Sequence, residues 1–310
     1  MEFFRKTTTL NFMGKRWLAM SLSGLLVLTA VGSLVVRGLN FGIDFTGGTV
    51  IEVQYPQPAN LSDVRGALKA KFPGAQAQHI GKASDVMIRI APRPGETSAQ
   101  LSNRVLDTLR QSNSAVKMQR VEFVGPQVGS ELAEKGGLAM LYTLIGILIY
   151  VTVRFEWRLS VGSVAALVHD SLITIGVFSL FGIQFDLTVL AAVLAVIGYS
   201  LNDTVVVFDR IRENFRKKRK QSAEQIMNAS INETLSRTIM TSLATLLVVL
   251  AMFFLGGPVI HGFSLALIIG IVVGTYSSIY VASAIALSLG VSKADLMKPR
   301  KEGAEAGGNP

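Results

Sequence analysis

AVIGYSLNDTVVVFDRIREN, residues 195–214, begins as an apolar segment, carries Asn202 and Asp203 while still inside it, and then breaks into alternating charge at Asp209, Arg210, Arg212 and Glu213. An aspartate at the centre of a membrane helix costs about 2.5 to 3.5 kcal/mol on insertion scales. Such a residue therefore faces a bundle interior and a partner, and it marks function by default.

The composition around it supports a membrane setting. The chain has 310 residues, 50% of them hydrophobic and only 16% charged, with a mean hydropathy of +0.45. That is too much apolar sequence for one soluble core, and it is grouped in long runs. The net charge of +9 comes from basic residues set beside those runs, where cytoplasmic anchors sit, so lipid is the expected partner and nucleic acid is not. The absence of cysteine excludes disulfides, thiolate metal sites and cysteine nucleophiles. No GxxxxGK[ST] loop occurs, which argues against a nucleotide-driven motor. A protein without enzyme activity, cofactor or metal is expected.

Residues 17–36 are an apolar run long enough for a hydrocarbon core of about 30 Å. A short basic segment, 1–16, precedes it with Arg5, Lys6, Lys15 and Arg16. Ala30 and Gly32 imitate a signal-peptidase site, but the apolar residues continue to Val36 and exceed a typical signal core, so an uncleaved anchor is expected. Further apolar runs lie at 137–153, 159–181, 187–208, 238–255 and 263–289, giving six expected spans. Tight connections fall at 154–158, 182–186 and 256–262, a long cytoplasmic loop at 209–237, and a cytoplasmic tail at 290–310.

Between the first two spans, residues 37–135 form a soluble insert. Strands are expected at 49–55, 77–80, 85–91 and 117–124, with amphipathic helices at 62–72, capped by Leu61 and Ser62, and at 98–111 after the turn at Pro92, Pro94 and Gly95. The order βαββαβ is the ferredoxin-like plan, which says little about function. The fold class is therefore an α-helical membrane protein of six transmembrane helices with an α+β ferredoxin-like domain between helices 1 and 2.

Lysine and arginine set the orientation. They occupy the amino end, Arg154 and Arg158 after the second span, the loop at 209–237 including the run 216–220, and Lys293, Lys298, Arg300 and Lys301 in the tail. The two short loops on the other side have none. Both termini are expected in the cytoplasm and the insert outside it, with Trp17 and Trp157 at the cytoplasmic interface.

Polar residues inside the spans are few. Tyr199 and Ser200 precede Asp203 by four and three residues and share its helical face. Arg237 opens the fifth span, followed by Thr241 and Thr245, and at 1.5 Å per residue it lies within about a turn and a half of the depth of Asp203, near enough to pair. His169 and Asp170 sit near the middle of the third span with Thr174 one turn on, and read either as a polar relay or as a structural pair. A ridge of small residues in the sixth span, Ala266, Gly270, Gly274, Ser278, Ala282 and Ala286, reads as helix packing without chemistry. Burial and a movable arginine would switch Asp203 between charged and neutral, which is what a proton carrier needs; a static ion pair is the competing reading.

FGIDFTGGT (41–49), VGPQVGSEL (124–132), His169 with Asp170, GYSLNDTVVVFDRIREN (198–214) and LSRTIMTS (235–242) resemble the signatures of the SecF family, the smaller partner of SecD in bacterial protein export. The resemblance covers the chain up to about residue 292. It implies half of an RND-type assembly in the bacterial inner membrane. The implied partners are SecD, the SecYEG channel with YajC and YidC, membrane lipid and the translocating preprotein. It also implies that the proton-motive force assists export, with Asp203, Arg237 and neighbouring Asn202 in proton coupling. Gly42, Asp44, Gly47 and Gly48 match a junction motif of structural role, flexible backbone where a helix leaves lipid for a strand. Competing readings are half of an RND small-molecule or lipid exporter, a passive membrane scaffold, and an intramembrane aspartyl protease using Asp170 and Asp203, for which the GxGD setting is missing.

Overall fold

A computed structural model describes residues 8–93, 95–218 and 220–292. Arg5, Lys6, Pro94, Arg219 and the tail from Lys293, with Lys298, Arg300 and Lys301, lie outside the described residues. The elements in chain order are α1 (Arg16–Arg37), β1 (Asn40–Phe41), α2 (Ile43–Thr46), β2 (Gly48–Gln54), α3 (Leu61–Lys69), β3 (Gln76–Ile80), β4 (Lys82–Ile90), α4 (Ser98–Ser112) and β5 (Lys117–Val124). They continue with α5 (Pro126–Arg154), α6 (Trp157–Phe181), β6 (Gln184–Phe185), α7 (Leu187–Lys217), α8 (Ala223–Leu255), α9 (Pro258–Ser277), a π-helical turn (Ser278–Ala282) and α10 (Ser283–Ser288).

Among the described residues, six helical segments are long and apolar enough to cross a membrane. They are α1, α5, α6, α7, α8, and α9 with the π-turn and α10. The chain is thus a multi-pass membrane protein. α6, α7 and α9 form the centre of the bundle; α1 lies on α6, and α8 on α7 and α9. α5 is the most peripheral span, exposing Leu141, Tyr142, Leu148, Ile149 and Val153.

The expected loop at 209–237 is instead an antiparallel helical hairpin, because α7 continues to Lys217 and α8 already starts at Ala223. Ile211, Phe215, Ile226, Met227 and Ile231 are buried between the two extensions. Glu233 receives hydrogen bonds from Arg210, Asn214 and Lys218, and Ser222 with Gln225 forms a reciprocal cap at the start of α8. The dense charge hides a helical apolar period from a hydropathy reading. For the same reason α5 begins at Pro126, well before the apolar run that marks it, and α9 begins at Pro258, ahead of its own run.

The insert between α1 and α5 contains a four-stranded sheet of order β3-β4-β2-β5 with every pairing antiparallel. α3 and α4 cover one face, and Ile51, Val53, Val86 and Ile88 of the sheet meet Val64, Leu68, Leu101, Val105 and Leu109 of the helices in a buried core. The cap of α3 is Asn60, whose Oδ1 accepts from the Ser62 backbone N–H at 3.0 Å, and not Leu61 or Ser62 as the sequence suggested. An amide side chain one residue earlier satisfies the orphan donor better than the backbone of Leu61 can.

The other face of the sheet is polar. Glu52 pairs across the strands with Arg120, and burial pushes its carboxyl above the ordinary range, Arg120 offsetting part of this while Glu122 and Asp85 add to it. At neutral pH the charged form is therefore penalised in the folded domain. Glu52→Gln is expected to raise the domain's thermal midpoint at pH 7, and the gain should vanish as the pH falls below the carboxyl's unfolded value, where both folded and unfolded wild-type chains are protonated. A thermal scan of the full chain across pH reads this directly.

Candidate functional site

Among the described residues, two buried carboxylates lie within the bundle, one on α6 and one on α7. Asp170 is 1% exposed and Asp203 8%. The Oδ2 of Asp170 accepts from Ser200 of α7 and, at 2.7 Å, from Ser277 of α9, while its Oδ1 lies 2.9 Å from Nδ1 of His169. Asp203 accepts on Oδ1 from Thr238 of α8 at 2.6 Å and on Oδ2 from Ser278 of the π-turn. Four helical segments are thus stitched into one polar layer by two acids and four hydroxyls. Ser242 and Thr275, 2.7 Å apart, extend the layer between α8 and α9.

The helices dictate these placements. Ser200 is one turn before Asp203 on the same face of α7, so one helix supplies an acid to its own layer and a donor to its neighbour's acid. Ser277 and Ser278 are consecutive, hence about 100° apart around the axis, and each meets a different carboxylate. Thr174, Thr241 and Thr245 do not join the site, because their hydroxyls bond carbonyls of their own helices. The Tyr199 hydroxyl and His169 Nε2 are buried without a hydrogen-bond partner among the described residues.

The structure separates Asn202 and Arg237 from this layer. Both are exposed on the outer surface of the bundle. Among the described residues, Asp203 and Arg237 form no ion pair, and the guanidinium acts on the carboxylate only through space. The expected contact is replaced by one from Thr238, the next residue along. Sequence spacing gave the depth of α8 against α7, and a single residue of rotation, about 100°, decides which side chain faces inward. Ser278 likewise corrects the reading of its ridge as packing alone, and Ser277 was not singled out at all. Two adjacent serines after the Gly270 and Gly274 repeat are the signal by which they could have been found.

The junction motif is docked against the start of α7. β1 pairs in parallel with β6 just before the amino end of α7, and Gly42 N–H donates to Phe185 O at 2.8 Å. Asp44 accepts from the backbone N–H of Leu187 at 2.9 Å, and Asp186 accepts from Val189 N–H at 2.8 Å. Two carboxylates thus cap α7, the helix that carries Asp203, and both favour its dipole. Gly47 and Gly48 have φ of +67° and +131°, backbone that side-chain-bearing residues rarely adopt. Arg89 of β4 donates to Phe41 O, so the sheet is fastened to the same junction. Replacing Asp44 by alanine is expected to cost about 0.5 to 2 kcal/mol, the usual worth of a cap. Amide exchange should quicken at Leu187 and its neighbours while the core of the insert keeps its protection.

Residues 104–292 match the family described as protein export membrane protein SecD/SecF, C-terminal, and residues 32–59 match the SecD/SecF GG motif. The chain is 53% identical over 308 residues to the protein translocase subunit SecF of Vibrio alginolyticus, covering 98% of each chain. It is 50% identical over 302 residues to SecF of Escherichia coli O157:H7, covering 95% of this chain and 93% of that one. A crystal structure of SecDF from Thermus thermophilus, described as a translocon-associated membrane protein, superposes with a TM-score of 0.83 at 39% identity over 91% of this chain. The chain spans 39% of the length of that SecDF chain.

Proposed function

This chain belongs to the SecD/SecF family of protein export membrane proteins, with SecF subunits as its full-length relatives, and we propose that it couples the proton-motive force to preprotein export through Asp203. In this reading it forms one half of an assembly whose other half is SecD, and the pair serves the SecYEG channel with YajC and YidC as further associates. The assembly lies in the bacterial inner membrane with both termini of this chain cytoplasmic. The sheet domain is read as ferredoxin-like and periplasmic, on the strand order β3-β4-β2-β5 and the basic residues at the opposite ends of the spans.

One observation carries the coupling role: Asp203 is buried, and its hydrogen-bond partners among the described residues are both neutral hydroxyls. A hydroxyl donates to a carboxylate and accepts from a carboxylic acid, so the same site satisfies both protonation states. A fixed ion pair would hold only one. A proton crossing about 100 mV releases roughly 2.3 kcal/mol, enough to bias two conformations that differ by a few kcal/mol. α7 links the steps, because Asp203 lies along it and Asp44 and Asp186 cap its outer end at the foot of the sheet domain.

Asn202 and Arg237 enter through their exposure. An arginine turned outward from a transmembrane bundle needs a cover of protein or water, and we assign that cover to the SecD half. An isolated exporter half or a passive scaffold predicts no dependence of preprotein movement on the proton gradient. In inverted membrane vesicles, with preprotein movement begun on ATP and the ATP then removed, an imposed proton gradient should complete translocation when this chain and its SecD half are present. Completion without them would refute the reading.

A further inference from the structure

The residues around the end of α9 carry more than packing. Ser277 Oγ lies 2.7 Å from Asp170 Oδ2 and 3.1 Å from the Gly274 carbonyl oxygen, three residues back on its own helix. Ser278 Oγ bonds Asp203 Oδ2 and lies 3.0 Å from the Thr275 carbonyl oxygen, also three residues back. Each hydroxyl has one proton and two acceptors within reach. An ionised carboxylate wins that proton, because charge-assisted hydrogen bonds are about twice as strong as neutral ones. A protonated carboxyl loses the advantage and donates its own proton to the serine oxygen, leaving the serine hydroxyl to turn back to its helix.

The helix is irregular at this point. Residues 278–282 form a π-helical turn, and such turns are frequent at functional sites. The turn is wedged against α6, where a Cβ on Gly162 would come within 2.6 Å of the Ala282 carbonyl oxygen. A change in the hydrogen bonding of Ser277 and Ser278 is thus felt by the helix that bears Asp170.

We propose that Ser277 and Ser278 are positioning residues that join Asp170 and Asp203 into one coupled pair, with the π-turn of the last span as the element that responds to the charge on both. This rests on Asp203 being the proton carrier and extends it by a second acid and a responding helix. The titratable and charged groups facing the pair are His169 on α6, Tyr199 on α7, Arg237 through space from α8, and Tyr276 and Tyr280 on α9 and the turn. From α1 the facing groups are neutral: Ser23 and the Ala19 carbonyl oxygen, both at the Tyr276 hydroxyl.

Infrared difference spectroscopy of the full chain in lipid nanodiscs, titrated with pH, reads protonated carboxyl groups directly. Asp170→Asn and Asp203→Asn each assign one band by its loss. Coupling requires that Asp170→Asn move the Asp203 midpoint by about tenfold in proton concentration, the scale on which two sites titrate as one system. In a Ser277→Ala, Ser278→Ala double variant that shift should collapse, and Ser277→Thr with Ser278→Thr should restore it; a merely structural role for the serines would not produce this rescue. Midpoints that ignore each other in the wild-type chain, or a shift that survives the double alanine variant, would overturn the proposal. If Asp203 shows no titrating band at all, the proton-carrier reading itself fails, a separate outcome.

Discussion

Asp203→Asn is expected to abolish gradient-driven completion of translocation while leaving the chain folded and inserted. The amide has the size of the carboxyl, accepts from one hydroxyl on its oxygen and donates to the other from its nitrogen, so Thr238 and Ser278 keep their partners. It lacks the ability to take up and release a proton. Asp203→Leu removes the proton site as well, and it strands the buried Thr238 hydroxyl at about 1 to 3 kcal/mol, while Ser278 falls back on the Thr275 carbonyl oxygen. The pair of variants separates chemistry from stability: both should lose gradient-driven export, and only the leucine should lower the thermal midpoint. An asparagine variant with export like the wild type would show that the carboxyl is a packing feature. An effect confined to the leucine variant would say the same.

The largest effect on stability is expected at Gly47. Its φ of +67° with ψ of 169° belongs to a region open essentially to glycine, at about 1 to 3 kcal/mol for other residues. A Cβ there would lie 2.9 Å from Cα of Pro126, a backbone atom at the start of α5 that cannot swing aside. Crowding of that kind typically adds about 1 to 3 kcal/mol. Gly47→Ala should therefore cost about 2 to 6 kcal/mol and loosen the junction between the sheet domain and the bundle. Thermal unfolding in detergent reads the loss, and limited proteolysis should find new cleavage between α1 and β2. A variant with an unchanged midpoint would mean that the junction tolerates rearrangement and that the glycines are not there for geometry.

Much of this architecture was legible in the chain because it rests on composition. Hydropathy marks the spans, and alternation with turn residues marks the strands of the insert; β5 falls on 117–124 as the pattern indicates. An acid within an apolar run announces itself, so Asp170 and Asp203 stood out. Their partners did not. Serine and threonine occur in transmembrane helices for packing as readily as for hydrogen bonding, and only the rotation of α9 against α6 and α7 shows that Ser277 and Ser278 face acids. Arg237 was drawn towards Asp203 by depth alone, and azimuth between two helices is set by packing that a sequence does not display. The hairpin of α7 and α8 was hidden for the opposite reason, its apolar residues diluted by charge although Ile211 and Phe215 keep the helical spacing. Asp44 caps a helix 143 residues away in sequence, a distance over which local rules are silent.

Proton flux through the assembled pair tests the central claim most directly. Proteoliposomes containing this chain with its SecD half and a trapped pH-sensitive dye, subjected to an imposed proton gradient, should acidify measurably faster than empty vesicles, and Asp203→Asn should return the rate to that of the lipid alone. Wild-type flux retained in the asparagine variant would contradict the account, because protons would then be passing without the carboxyl that is held here to carry them.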